Sequence, residues 1–242
     1  MKTPWRISAK ASGTLQLYIY DEIGESLFSD EGVTAQRLAA DLAAAGNVHD
    51  ILVRVNSPGG SVFEGLAIFN GLVSHGARIR AQVDGLAASI ASVIVMAAAP
   101  GQIAMHENAL FMIHNPWASA AGGDADKLRK LASTLDTVKA NMVRAYGRHS
   151  TLDPEDISQL MQDETWLDAP TAIEKGFADT IINTCDDVDV AASFDLARFH
   201  HVPAAIMAKA RQRPPAPTAV ITWDEEQERR RLELQLELLR RL

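Results

Sequence analysis

Ser89, His114 and the adjacent pair Asp163-Glu164 are the residues of this chain whose types and surroundings suit acyl transfer. Ser89 lies in Gly85-Leu86-Ala87-Ala88-Ser89-Ile90-Ala91, where a strand is expected to turn into an apolar helix. At the head of such a helix the dipole favours developing negative charge, and the amide of Ile90 can contribute to an oxyanion hole. A serine that only caps its helix fits the same position. Ser92, one turn later, suits a hydroxyl bonded back to its own helix.

His114 follows the apolar run ALFMI (109–113) and precedes Asn115-Pro116, which puts it at a strand end, where sites gather in α/β sheets. His106, in MHEN, is the rival base but stands before that strand. His49, His75 and His149 read as solvated, and His200 and His201 adjoin the tail. Glu164 or Asp163 is able to orient an imidazole, although adjacent carboxylates also suit a solvated face. Gly59-Gly60 closes another strand and opens a helix, so its backbone can approach a ligand and aim amides at an oxyanion, or can serve the turn alone. Cys185, the single cysteine, has acidic neighbours that disfavour a thiolate. Metal-ligand spacing, GxGxxG and Walker sequences are all missing, so neither metal nor cofactor is expected.

The elements that position these residues alternate. Leu15 to Tyr20, Ile51 to Val55, Arg78 to Val83 and Ala109 to Ile113 read as strands. Between them lie helical stretches at Thr34 to Ala45, at Val62-Leu66-Phe69-Val73 along one face, and at Ser89 to Ala99, with Gly85 opening a turn. Alternation of this kind implies parallel pairing with right-handed crossovers in an α/β layered domain. After Gly122-Gly123 a long helix carries Leu128, Leu131, Leu135, Val138 and Met142 as a seam, within or between subunits. A short helix from Pro154 to Met161, a helix ending at Gly176 and a strand from Asp179 to Ile182 follow. The expected organisation is a body over residues 1–200, a Pro-rich linker over 201–221 with PPAP at 214–217, and a charged helix over 222–242 opened by Thr222 and Glu225.

Composition narrows the classes. The net charge is −8, with 47% hydrophobic residues. The acidic excess sits in residues 1–206, which argues against nucleic-acid binding, while residues 207–242 are weakly basic. One cysteine, an opening without a signal-like apolar core and no apolar run near the roughly 20 residues of a membrane span lead to the expectation of a cytoplasmic protein that does not enter a membrane.

Three segments together resemble the Clp protease proteolytic-subunit family, of the ClpP/crotonase fold. NSPGGSVFEGLAIFN (56–70) is similar to its oxyanion loop and following helix, DGLAASIASVIVMAAA (84–99) to its nucleophile segment, and FMIHNP (111–116) to its histidine segment. TWLDAPTAIEKGFAD (165–179) resembles the stretch after its acid. The resemblance implies a spiral of ββα units with a protruding long helix. It also implies Ser89 as nucleophile, His114 as base, Gly60 and Ile90 as oxyanion donors, and Glu164 as acid by ungapped counting from Gly176, with Asp163 if the chain slips by one. A homo-oligomeric ring acting on polypeptides, without a cofactor, is implied too. GLAAS departs from the family's usual glutamine-containing lead-in. The Thr-Trp after the acid and the proline-linked tail look more like the phage or prophage branch, head maturation proteases that process scaffold and capsid precursors. The alternatives are a general proteolytic subunit working with an unfoldase and a crotonase-type acyl-CoA enzyme.

Overall fold

The computed structural model describes residues 5–9, 14–26, 29–118, 122–183, 194, 196 and 198–203. Its backbone is a mixed α/β sheet, with β6 (Arg78–Ala88) at the centre. On one side β5 (Asp50–Ser57) and β2 (Thr14–Ile19) add in parallel, and β1 (Trp5–Ala9) closes the edge antiparallel. On the other side β6 is shared. Its first half pairs with β7 (Ile103–His106), which carries β10 (Thr180–Ile182), and its second half pairs with β8 (Leu110–Ile113), which carries β9 (Thr165–Asp168) antiparallel. A hairpin of β3 (Gly24–Ser26) and β4 (Ser29–Val33) stands apart. The parallel-dominated α/β architecture agrees with the expected fold class.

The expected turn at Gly85 is not there. Val55 pairs with Val83, but Ser57, two residues on, pairs with Ala87, so β6 carries extra residues around Gly85 and continues as a strand. Such a bulge bends a strand without ending it, and here it redirects the second half of β6 toward β8. The turn into the helix falls at Ser89 instead.

Helix α1 (Ala35–Ala45) starts where Thr34 accepts a hydrogen bond from the Arg37 amide, and the Glu64 carboxylate takes the Ala35 amide at 2.7 Å. For α2 (Val62–Ser74) the expected inward face needs correction. Gly65, Ile68, Phe69 and Leu72 are buried, Val62 and Leu66 are half-buried, and Val73 is exposed. The helix is rotated because Gly65 abuts Ile90: a Cβ at 65 would stand 2.2 Å from Ile90 Cγ1. Every residue of α3 (Ile90–Val95) is buried, as its apolar sequence demands.

Helix α4 (Ala125–Tyr146) divides its expected seam. Val138 and Met142 are buried, Leu131 and Leu135 are half-buried, and Leu128 is exposed. Its last turn reaches the core through Tyr146, whose ring packs edge-on against Phe177. Helices α5 (Pro154–Gln162) and α6 (Ala169–Glu174) complete the body.

The compact body runs to Pro203. The PPAP linker, the 222–242 helix and Cys185 lie outside the described residues. No described helix is long and apolar enough to cross a membrane.

Candidate active site

Ser89 stands between β6 and α3 with φ 57° and ψ −130°, a combination that glycine usually supplies at the first central position of a type II′ turn. Holding a serine there costs on the order of 1–3 kcal/mol. Burial of the flanking Ala88 and Ile90 and a bond from the Ser89 amide to the Met112 carbonyl, 3.0 Å, keep it in place. Its hydroxyl makes no capping hydrogen bond, which removes the capping role as an account of this serine. Instead Ser89 Oγ lies 2.7 Å from His114 Nε2.

His114 follows β8, and the next amide, Asn115, donates to the Met161 carbonyl at 2.9 Å. The imidazole is 7% exposed. Burial lowers its pKa to about 4 against the opposing pull of Glu164, with Arg198 and His200 lowering it further. It is therefore neutral at pH 7 and able to accept a proton at Nε2.

The two candidate acids separate. Asp163 is exposed and accepts from Gln159 Nε2 at 2.9 Å. Glu164, at φ 50° just after α5, is 7% exposed. Its carboxylate is surrounded by neutral donors: the His201 amide at 2.6 Å and Trp166 Nε1 at 3.4 Å reach Oε1, and the His200 amide at 3.0 Å reaches Oε2. Burial works against its charge, but the His200 and His201 amides, Trp166 and His114 together hold its pKa below the usual carboxylate value. Among the described residues Glu164 and His114 share electrostatic attraction and no hydrogen bond.

The glycine pair lies against the serine. A Cβ on Gly59 would stand 2.7 Å from Ser89 Cβ, and one on Gly60, at φ 146°, only 2.1 Å from the Ile23 carbonyl oxygen. Ile23 bridges this loop by donating to the Gly59 carbonyl and accepting from the Ser61 amide. That pattern turns the Gly60 amide away from Ile23. Ile90 opens α3, where a first-turn amide has no acceptor within the helix. The loop is braced by Ser57, whose hydroxyl donates to the Asp21 carbonyl at 2.6 Å and accepts from the Gly59 amide at 3.2 Å.

Ser92 and His106 have other partners. Ser92 Oγ donates to the Ser89 carbonyl at 2.5 Å and meets the Tyr146 hydroxyl at 2.8 Å, which ties α3 to α4. His106 closes β7 and lies 3.3 Å from both Gln82 Nε2 and Asp84 Oδ1. His149, expected to be solvated, is half-buried and reaches the Ala98 carbonyl at 3.1 Å. The lysines between Ser89 and Glu164 that a serine–lysine mechanism would draw on, Lys127, Lys130 and Lys139, all lie on α4, the first two exposed and Lys139 half-buried.

Two features escape sequence reasoning. Asp84 is buried and accepts from Arg54 twice, at 2.7 and 2.9 Å, from Tyr20 at 2.6 Å and from Gln82 at 2.7 Å. The strand registers that assemble this cluster leave no local pattern. The second feature is the segment Arg198–His201. Phe199 packs edge-on against both His114 and Trp166, at 5.5 and 5.7 Å between ring centroids. Arg198 donates to the Pro58 carbonyl at 3.0 Å.

Comparison with known proteins places the chain in a family. The family model described as Clp protease matches residues 10–185. The chain is 33% identical over 164 residues to the ATP-dependent Clp protease proteolytic subunit 3 of Streptomyces coelicolor, a match covering 66% of this chain and 75% of that one. It is 34% identical over 158 residues to the ATP-dependent Clp protease proteolytic subunit of Streptococcus pneumoniae, covering 62% and 76%. With residues 10–185, most of its length, matched by the family model, the chain belongs to the Clp protease family.

Proposed function

We propose that the chain is a serine endopeptidase in which Ser89 is the nucleophile, His114 the general base and Glu164 the acid. The observation that carries this reading is the 2.7 Å contact between Ser89 Oγ and a buried, neutral His114 Nε2. As Oγ attacks the scissile carbonyl carbon, Nε2 takes its proton, and the amides of Gly60 and Ile90 receive the oxyanion. The imidazolium then returns the proton to the leaving amine, Glu164 stabilising the positive charge. Water attacks the acyl-enzyme with His114 again as base, which frees Ser89. A crotonase-type reaction would use the two amides but leave the Ser89–His114 pair without a role.

The substrates are polypeptides, and assembly is a homo-oligomeric ring in which the outer half of α4, with Leu128 exposed and Leu131 and Leu135 half-buried, meets another copy. Thr165-Trp166 after the acid and the prolines at 214–217 support maturation of capsid or scaffold precursors in a phage-infected or lysogenic cytoplasm. The relatives are named as subunits of ATP-dependent proteases, which favours a second reading, a proteolytic subunit fed by an unfoldase. Cleavage of a capsid precursor by the chain alone supports the first; degradation of folded proteins only with an unfoldase and ATP supports the second.

A fluorophosphonate probe followed by peptide mapping tests the chemistry. The expected label is on Ser89. Labelling of Ser92 or Ser61, or none in active protein, overturns the assignment.

A further inference from the structure

Arg198–His201 touches the proposed base, the proposed acid and the glycine loop. The Phe199 ring covers the base, the His200 and His201 amides take the acid, and Arg198 grips the loop that offers the Gly60 amide. Both oxygens of Glu164 are thereby engaged by donors that do not belong to His114, while the Ser89–His114 contact is complete. A triad works with its acid hydrogen-bonded to the imidazole, because that bond fixes the tautomer and stabilises the imidazolium. The described arrangement holds the acid one step short of that bond.

We propose that Arg198–His201 is an autoinhibitory strap, seated on the catalytic site of its own chain, that keeps Glu164 from His114 and yields to an incoming polypeptide. The inference rests on the serine endopeptidase reading above. The strap's attachments suit displacement. It belongs to neither helix nor strand, the ion pair it makes among the described residues joins Arg198 to a Glu22 whose side chain is 60% exposed, and such surface pairs contribute little. Phe199, 6% exposed, anchors it, its amide donating to the carbonyl of buried Leu196, and His201 Nδ1 lies 2.8 Å from the Asp163 carbonyl. The Phe199 ring stands 5.5 Å, centroid to centroid, from the imidazole beside Ser89, and in this proposal an incoming polypeptide competes with it for that space. Release of the two amides leaves Glu164 with only Trp166 and the imidazole to satisfy it, which draws it to His114.

The test is the rate of fluorophosphonate labelling at Ser89 in the full chain and in the Arg198→Ala/Phe199→Ala variant, together with kcat/KM on a short peptide. Both are expected to rise by at least about tenfold in the variant, within the range that a correctly placed acid–base pair supplies. A synthetic peptide of residues 194–203 added to the variant is expected to slow it again. Equal or slower labelling in a variant that keeps its circular dichroism overturns the strap while leaving the serine mechanism intact. Absence of Ser89 labelling in both chains overturns the mechanism and the strap with it. Should the double variant not fold, Arg198→Ala alone, which removes the Pro58 and Glu22 contacts and the guanidinium over the Phe199 ring while leaving that ring in the chain, is read by the same criterion.

Discussion

Asp84 and Glu164 are the two carboxylates buried among the described residues, and they are kept charged by opposite means. Asp84 receives a guanidinium in a two-pronged grip, with a phenol and an amide filling its remaining positions. Its charge is spent within the sheet. Burial and the bond to Asp84 push the Tyr20 phenol well above its ordinary value, so it stays a donor to that carboxylate. Glu164 receives neutral donors only, two of them backbone amides from a segment 36 and 37 residues away in sequence. Its charge is solvated but not cancelled, and so remains available to a neighbouring imidazole. A carboxylate paired with a cation builds structure; one surrounded by dipoles can serve chemistry.

The widest separation between the two is expected in turnover. Glu164→Gln must present an NH2 group to a site lined by N–H donors and removes the charge that stabilises an imidazolium, so kcat/KM is expected to fall by about 10³–10⁴, while the mismatch costs about 1–3 kcal/mol of stability. Loss of stability without loss of turnover would break the comparison. Asp84→Asn is expected to act on stability alone. It strands a largely buried Arg54, destabilising the fold by about 3–5 kcal/mol in denaturant titration, while folded protein keeps its kcat.

A pH series sharpens the contrast. His114 titrates near 4 in the fold against 6.5 ordinarily, so the unfolded chain takes up its proton first. Stability is thus expected to fall as pH drops from about 6.5 through 4, by about 3 kcal/mol from this group. Glu164, whose pKa is also lowered, pushes the same way as it protonates. The titratable and charged groups acting on His114 are Glu164, Arg198 and His200. Removing Phe199 uncovers the imidazole, and the acid limb of kcat/KM is expected to move up toward 6.5; an unmoved limb would mean that other residues supply the burial. The smallest effect belongs to Asp163→Asn, at an exposed site: within about 0.5 kcal/mol in stability and with turnover near that of the parent.

Legibility of the sequence followed the reach of each interaction. Ser89 and His114 are readable because strand-end and turn signals are local, and the parallel sheet follows from alternation. The Asp84 cluster is not, since Arg54 and Asp84 lie 30 residues apart and meet only through the register of β5 and β6. Gly85 reads as a turn because a bulge and a turn place glycine alike. The inner face of α2 is set by contact with Ile90, which its own periodicity does not contain. Glu164 and Asp163 are neighbours in sequence, so one residue of slip exchanges them; the end of α5 decides which one is buried. Strands β1, β7 and β9 and the hairpin of β3 and β4 are short or lack a distinct alternation, so the sequence carries no clear strand signal for them.

Among the described residues, the non-glycine residues at positive φ are Ser89 and Glu164. Relief of that strain lies one substitution away in each case, since glycine occupies such conformations without a steric penalty. At Ser89 the stability gradient therefore runs against function: a copy of the chain relieved of selection for hydrolysis gains by drifting to glycine there. A serine retained at position 89 in related chains would then be a signature of selection for activity, since folding alone does not favour it.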